Sequence, residues 1–446
     1  MDLNLTEIVK AIKAREVSPV EVAQKCLERI ERLNPALNAV VTVAPDVLDR
    51  ARAAEAALLR GDDVAALHGV PVTIKDTIET AGLRSTSGST IRADFVPTTD
   101  APAVARLRGA GAIILGKTNA AEMAMDYTAD NPVFGRTNHP LDPKLTPGGS
   151  SGGEAVAIAT GMSPGGIGSD LAGSVRIPAH FCGIAGLKPT TERVPGEGQF
   201  PPSSGPYGLG AVIGPMARTV GDLRLLFRAL ADQIPSNMDL KKIRVAWYSD
   251  DGVTPVTSET LNTVQAVARV LADAGFVTEE QRPPHVERGN ELWLKLFSRA
   301  SVVQLRQVYA GRESEGGSFV SWRLGTADQT PPPTLDEYIV SWMERDRLRE
   351  ELLRWMQTTP IIVAPVGATP AYKHDTLKVT VRGETFGTFR AFSYAQTFNV
   401  FDLPVVTLPA GRSADGLPIG VQIVGRPHEE EMVLTVAEIV EQALSS

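Results

Sequence analysis

The run Gly148-Gly149-Ser150-Ser151-Gly152-Gly153, resumed at Gly168-Ser169-Asp170-Leu171-Ala172-Gly173-Ser174-Val175-Arg176-Ile177-Pro178-Ala179, decides how this chain of 446 residues is read. Residues 148–186 hold 11 of the 40 glycines but only three charged side chains, Glu154, Asp170 and Arg176. Backbone so rich in glycine and so poor in charge is either a flexible or phosphate-cradling loop, or a buried loop against which other groups pack closely.

Three motif matches test the first alternative. Gly111-Ala112-Ile113-Ile114-Leu115-Gly116-Lys117-Thr118 fits the phosphate-loop pattern letter for letter. That loop must curl its middle N–H groups toward phosphate, whereas Ala-Ile-Ile-Leu reads as a buried strand that commits them to a ladder. Nor is there a strand in Val104–Ala110 for such a loop to follow. Gly208-Leu209-Gly210 resembles part of a dinucleotide fingerprint but follows Pro206-Tyr207, so a glycine turn is expected. The 148–153 run itself satisfies G-x-S-x-G with either serine central, as in an α/β-hydrolase nucleophile elbow, with His374 or His428 as downstream partners. An elbow needs a strand before it, and Asp142-Pro143-Lys144-Leu145-Thr146-Pro147 cannot be a central one.

The flanking sequence reads as helices and strands in alternation. Residues 5–33 predict two helices, the second opened by the capping box Ser18-Pro19-Val20-Glu21. Helices are also expected over 47–60, 101–108 and from the Thr219 cap onward, and strands at 112–115, 243–248, 361–366, 404–408 and 419–424. His68-Gly69-Val70-Pro71-Val72-Thr73-Ile74-Lys75-Asp76 is a β-rich run ending in two charges. Such alternation argues for a layered α/β fold.

Bulk properties narrow the function. The net charge of −8 and the lack of a Lys/Arg stripe speak against nucleic acid as a partner. No run of about 18 apolar residues exists to span a membrane, and the start Met-Asp-Leu-Asn-Leu-Thr-Glu lacks the basic and apolar regions of a secretory signal, so a cytoplasmic location is expected. Cys26 and Cys182 stand alone, as buried thiols of a reducing compartment do, and the six histidines form no metal pattern. No metal or other cofactor is expected.

Taken together, Lys75 at the end of its β-rich run, the 148–153 run and the 168–179 run resemble the amidase signature family. Asn34-Pro35-Ala36-Leu37-Asn38-Ala39, Cys182-Gly183-Ile184-Ala185-Gly186-Leu187-Lys188-Pro189-Thr190, Gly214-Pro215-Met216-Ala217-Arg218-Thr219 and Gly416-Leu417-Pro418-Ile419-Gly420-Val421-Gln422-Ile423-Val424-Gly425-Arg426-Pro427 extend the resemblance over most of the chain. It implies one α/β domain over 1–446, with a mixed central sheet covered by helices on both faces (α/β/α). Residues 284–358, charge-rich and helical in pattern, are expected to form a subdomain at the substrate entrance.

The resemblance also implies a Ser-cisSer-Lys triad, with Ser174 as nucleophile, Ser150 in a cis peptide as relay and Lys75 as base. The chemistry is coherent. A serine hydroxyl needs a base, and His139 and His180, the histidines nearest in sequence, sit in no base motif. A lysine serves only when neutral, so its surroundings must lower its pKa from about 10.4. The sparse charge of the window would supply a low-polarity setting.

The N–H groups of Leu171, Ala172, Gly173 and Ser174 form the implied oxyanion hole. The family's more familiar form has Thr and Gly where this chain has Leu171 and Ala172, so a left-handed Ala172 would be strained. Ala124, Met125, Asp126 and Tyr127 match the acyl-pocket segment, which by pattern alone would be part of a helix. Ser151, Asp170 and Arg176 are expected to support the site, the last two as an ion pair bracing the nucleophile loop, while His180 is expected to be a packed core histidine. The implied activity is hydrolysis of a small amide C–N bond through an acyl-enzyme. Aryl amides, carbamates (urethanes) and esters lie within the family's reach. A glutaminase subunit of an amidotransferase and a non-catalytic amidase-like binding protein are the alternatives, and a homodimer is left open.

Overall fold

The computed structural model describes residues 3–232, 243–329 and 331–445. Thr330, inside the 284–358 span, and Met1-Asp2 at the start of the chain lie outside the described residues. The strands are β1 (Val40–Val43), β2 (Pro71–Lys75), β3 (Ile113–Thr118), β4 (Gly165–Asp170), β5 (Ala185–Lys188), β6 (Val212–Ala217), β7 (Arg244–Trp247), β8 (Val277–Glu280), β9 (Ile361–Pro365), β10 (Lys378–Val381), β11 (Glu384–Gly387), β12 (Val405–Arg412) and β13 (Pro418–Val424). Eleven of them form one sheet in the order β1-β3-β2-β4-β6-β5-β12-β13-β9-β7-β8, and β10 and β11 make a separate hairpin.

The sheet is mixed. β2 runs parallel to both β3 and β4, and β7 parallel to β8 and β9, whereas β4, β6, β5, β12, β13 and β9 follow one another antiparallel. Both faces are covered, and the strand period of two divides the core. Along β9, Ile361 and Val363 join one apolar cluster with the helices Val220–Leu230, Ser258–Asp273 and Glu430–Ser445. Ile362 and Ala364 join the other, with Phe181, Trp293, Phe297, Leu352, Phe392 and Phe398.

The expected helices form with the expected caps. Ser18 Oγ accepts from Glu21 N–H at 3.0 Å and Glu21 accepts in turn from Ser18 N–H at 2.8 Å, opening the helix Pro19–Leu37. The phosphate-loop match resolves as anticipated. Ile113–Thr118 is β3, fully buried and paired to β1 on one side and β2 on the other. Residues 142–147 form no named strand, so no elbow precedes Ser150. The 284–358 region is largely helical, with helices Gly289–Trp293, Arg299–Val308, Ser318–Asp328 and Leu335–Trp355.

Candidate active site

The parallel pair β2 and β4 brings the predicted residues together. Thr73 registers with Gly166 and Ile74 with Ile167, so the C-terminal ends of the two strands lie side by side. β2 delivers Lys75 there and β4 delivers Ser169 and Asp170. Alternation along β2 turns Thr73 and Lys75 to the face opposite Val72 and Ile74. The turn before the helix Gly152–Ala159 supplies Ser150 and Ser151, and the loop between β4 and the helix Arg176–Cys182 supplies Ser174.

Lys75 Nζ donates to Ser150 Oγ at 2.6 Å and to Ser169 Oγ at 2.9 Å. The Gly149–Ser150 peptide is cis. Lys75 and Ser150 are 0 % exposed and Ser174 is 6 % exposed, so the expected nucleophile is the member that reaches toward the surface. Ser151 N–H donates to the carbonyl of Ser174 at 3.2 Å, joining the two serine-bearing loops. Burial lowers the Lys75 pKa to about 7, against the opposing pull of Asp170 and Glu154. At neutral pH a substantial fraction of this amine therefore carries no proton.

The charge-poor window needs a correction. Its three charged residues do not stay remote from the site: Glu154, Asp170 and Arg176 are all buried around it. Low polarity at Lys75 thus comes from exclusion of water, not from absence of charge. Arg176 clasps Asp170 with Nη2 on Oδ1 at 2.8 Å and Nε on Oδ2 at 3.0 Å. The guanidinium also reaches the Ala395 carbonyl, Gln422 Oε1 and Asn399 Oδ1, and Asn399 Nδ2 returns to Asp170 Oδ1 at 3.0 Å. Burial alone would raise the Asp170 carboxyl, but Arg176 and these donors hold it well below the usual carboxylate range.

That carboxylate shapes the nucleophile loop. It accepts from Gly173 N–H at 2.9 Å and Val175 N–H at 3.0 Å. The Gly173 N–H is therefore not free to bind an oxyanion, a correction to the four-donor expectation. The N–H groups of Leu171, Ala172 and Ser174 donate to no acceptor among the described residues. Two carbonyls of the loop are held from outside: Trp293 Nε1–H donates to Leu171 O at 2.9 Å and Tyr127 O–H to Ala172 O at 2.7 Å. In a trans peptide the N–H opposes the C=O, so the Trp293 bond turns the Ala172 N–H the other way. Gly173 takes the positive φ, +106°, and Ala172 is absent from the left-handed positions, so replacing the family glycine by alanine brings no backbone strain there.

The segment 124–127 divides. It is not an α-helix: Glu122–Ala124 is a short 3₁₀ turn, and Met123 and Ala124 both have left-handed φ, +55° and +58°. Ala124, Met125 and Asp126 are half-buried. The Asp126 carboxylate accepts from Tyr127 N–H at 2.7 Å and Thr128 Oγ1–H at 2.9 Å, and burial raises its pKa. Tyr127 is buried, its ring stacked 4.4 Å from that of Phe389, with Gln396 Nε2–H donating to its hydroxyl at 2.9 Å. Its polar atom faces the nucleophile loop.

His180 is a core histidine as expected. Its Nδ1 accepts from Gly420 N–H at 2.7 Å, Nε2 lies 3.0 Å from Thr369 O, and burial lowers its pKa to about 4. Four contributors escaped the reading of the sequence. Ser169 and Glu154 lay inside the quoted window but matched no recognised role, whereas Trp293 and Asn399 come from distant segments with no local signal. Among the described residues, no cluster of His, Cys, Asp or Glu is arranged to hold a metal ion, and no helix is long and apolar enough to cross a membrane.

A family model described as Amidase matches residues 21–434. The chain is 32 % identical to a glutamyl-tRNA(Gln) amidotransferase subunit from Carboxydothermus hydrogenoformans, over 99 % of this chain and 97 % of that protein. It is 34 % identical to fatty-acid amide hydrolase 2-A of Danio rerio, over 99 % and 88 %. Among solved structures, a bacterial aryl acylamidase of the amidase signature family superimposes with a TM-score of 0.88 at 25 % identity, covering 99 % of this chain and 96 % of that one.

Proposed function

Because the chain belongs to the amidase signature family of hydrolases, we propose that it is an amidohydrolase that cleaves a small amide through an acyl-enzyme on Ser174. The observation that carries this reading is the buried Lys75–Ser150 hydrogen bond of 2.6 Å with Lys75 brought to about 7. In the proposed cycle, Ser174 Oγ attacks the carbonyl carbon as its proton passes to Ser150 and the Ser150 proton to Lys75 Nζ. The free N–H groups of Leu171, Ala172 and Ser174 receive the developing oxyanion. The proton then returns by the same path to the leaving nitrogen, which an amide requires because amide anions leave poorly. Water enters, and the relay works again to release the acid.

Ala124, Met125 and Asp126 line the acyl side in this proposal, and Tyr127 positions the loop. Residues 284–358 shape the entrance, supported by the bond from Trp293 to Leu171. Aryl amides and carbamates are the favoured substrates, because Trp293, Phe389 and Tyr127 gather aromatic surface beside the loop. The free thiols Cys26 and Cys182, both buried, suit a reducing cytoplasm.

The similarity to amidotransferase subunits supports a second reading, glutamine hydrolysis in a complex that delivers ammonia. A panel of p-nitroanilides, alkyl amides, carbamates and glutamine separates the two. Turnover of anilides or carbamates by the chain alone is expected, and glutaminase activity that appears only with a partner would replace the first reading by the second. Fluorophosphonate should label the wild type and fail to label Ser174→Ala, whose kcat should fall at least about a thousandfold. Labelling that survives in Ser174→Ala would remove Ser174 from the role.

A further inference from the structure

Glu154 is the one charge of the glycine window that forms no ion pair among the described residues, Asp170 and Arg176 being paired with each other. It stands in the first turn of the helix Gly152–Ala159, just after the turn that carries Ser150, and is completely buried. Its carboxylate bridges two strands: Thr73 Oγ1 donates to Oε1 and Thr118 Oγ1 to Oε2, the latter at 2.7 Å. Thr73 stands two residues before Lys75 on the same face of β2, and Thr118 is the register partner of Lys75 on β3. The space for it is built in. A Cβ at Gly166, on β4 opposite Thr73, would collide with Glu154 Oε1.

The charges around Lys75 leave one imbalance. From β4, Asp170 faces Lys75 but is already clasped by Arg176 of the next helix. From β3, Lys117 faces Asp76 and donates to Ile78 O and to the hydroxyls of Thr80 and Ser85, and its charge also acts on Glu154 without a hydrogen bond to it. β1 and β6, the other strands packed on the Glu154 helix, bring no charged side chain. Glu154 itself forms no ion pair among the described residues. A buried carboxylate hydrogen-bonded only to neutral hydroxyls, beside a buried amine that must gain and lose a proton, is placed to offset the charge that amine gains.

We infer that Glu154 is a positioning residue that holds the transferred proton on Lys75 during acylation and deacylation. This rests on the proposed Lys75 base. When Ser150 hands its proton to Nζ, the new ammonium appears in a site without water, and Glu154 offsets it without itself taking or giving a proton. The threonine hydroxyls and the charge on Lys75 favour the ionised carboxylate against the burial that opposes it. Burial raises its pKa to about 7, in the same range as Lys75, so the two groups titrate as a coupled pair.

The test compares wild type with Glu154→Gln and Thr118→Val by two readouts. One is the titration of Lys75 followed by NMR of 13C-labelled lysine, assigned with Lys75→Met. The other is the ascending limb of kcat/KM against pH on the best substrate of the panel. Removing the negative charge disfavours the ammonium, so in Glu154→Gln both should move about one unit to lower pH, with a plateau lowered about tenfold. Thr118→Val, nearly isosteric, should move both the same way by less, and it decides the matter if Glu154→Gln does not fold. A lower plateau with both titrations unmoved would assign Glu154 a merely structural role and overturn the inference. If Lys75 shifts in the NMR titration while wild type neither labels nor turns over any substrate, the hydrolase reading fails and the electrostatic link between the two residues stands.

Discussion

In the proposed cycle Lys75 can serve as a base because its surroundings cost its ammonium more than they return. Burial dominates at Lys75, and the pull of Asp170 and Glu154 recovers only part of the loss. Activity should therefore rise with pH through about 7 as the amine loses its proton, and a flat profile of kcat/KM between about pH 5 and 9 would exclude a lysine base. Arg176 is fully buried but bound by Asp170, Asn399, Gln422 and a carbonyl. Arg176→Met would leave Asp170 buried without its cation, and chemical denaturation should show a loss of about 3–5 kcal/mol. The gathering of Lys75, Ser150, Ser174, Asp170 and Arg176 in one place was legible from the ordered motifs. Ser169 and Glu154 were not, because a serine after a glycine and a glutamate near a helix start carry no chemistry until strand register sets them beside Lys75.

At the scale of elements, the site depends on a loop whose groups are assigned one by one. Between β4 and the helix Arg176–Cys182, Asp170 takes two N–H groups from inside while Trp293 and Tyr127 take two carbonyls from outside. What remains are the N–H groups of Leu171, Ala172 and Ser174, which the proposed cycle uses for the oxyanion. Gly173 is the hinge of that geometry: φ is +106°, and a Cβ there would lie 2.7 Å from the Ala395 Cβ. Gly173→Ala should lower kcat by at least about tenfold, the equivalent of the 1–2 kcal/mol that a left-handed non-glycine residue costs, and a fluorophosphonate labelling rate would report it. Tyr127→Phe keeps the stack on Phe389 and removes one carbonyl anchor, so kcat should fall while the melting temperature shifts little.

At the scale of the molecule, the outer part of the helical region 284–358 is tied to the segment 122–124 by one buried carboxylate. Glu122 accepts from Tyr309 O–H at 2.6 Å and from Gly317 N–H at 3.0 Å, while Met123 packs among Leu305, Tyr309 and Val320. This small core is separate from the two that cover the sheet; Trp293, Phe297 and Leu352 of the same region pack in the second of those, whereas its outer part around Tyr309 and Val320 is held through Glu122 and Met123. Tyr309→Phe should loosen it by about 1 kcal/mol, seen as faster hydrogen exchange over 299–328 and a KM raised about fivefold with kcat nearly constant. Unchanged exchange and KM would show that Glu122 does not tie this region to substrate binding.

The sequence by itself determined the family, the α/β class, most helices and their caps, and the residues expected to carry the chemistry. These depend on local periodicity, capping and ordered motifs, all of which are written along the chain. Tertiary structure alone decided which N–H groups stay free, which carboxylate is neutralised and which is left facing Lys75, and that residues 124–127 follow a left-handed turn and not a helix. Those outcomes depend on burial and on partners as far as 269 residues apart, such as Tyr127 and Gln396. The free energy of a buried charge or an unpaired N–H is set by its neighbours in space, which no local pattern records.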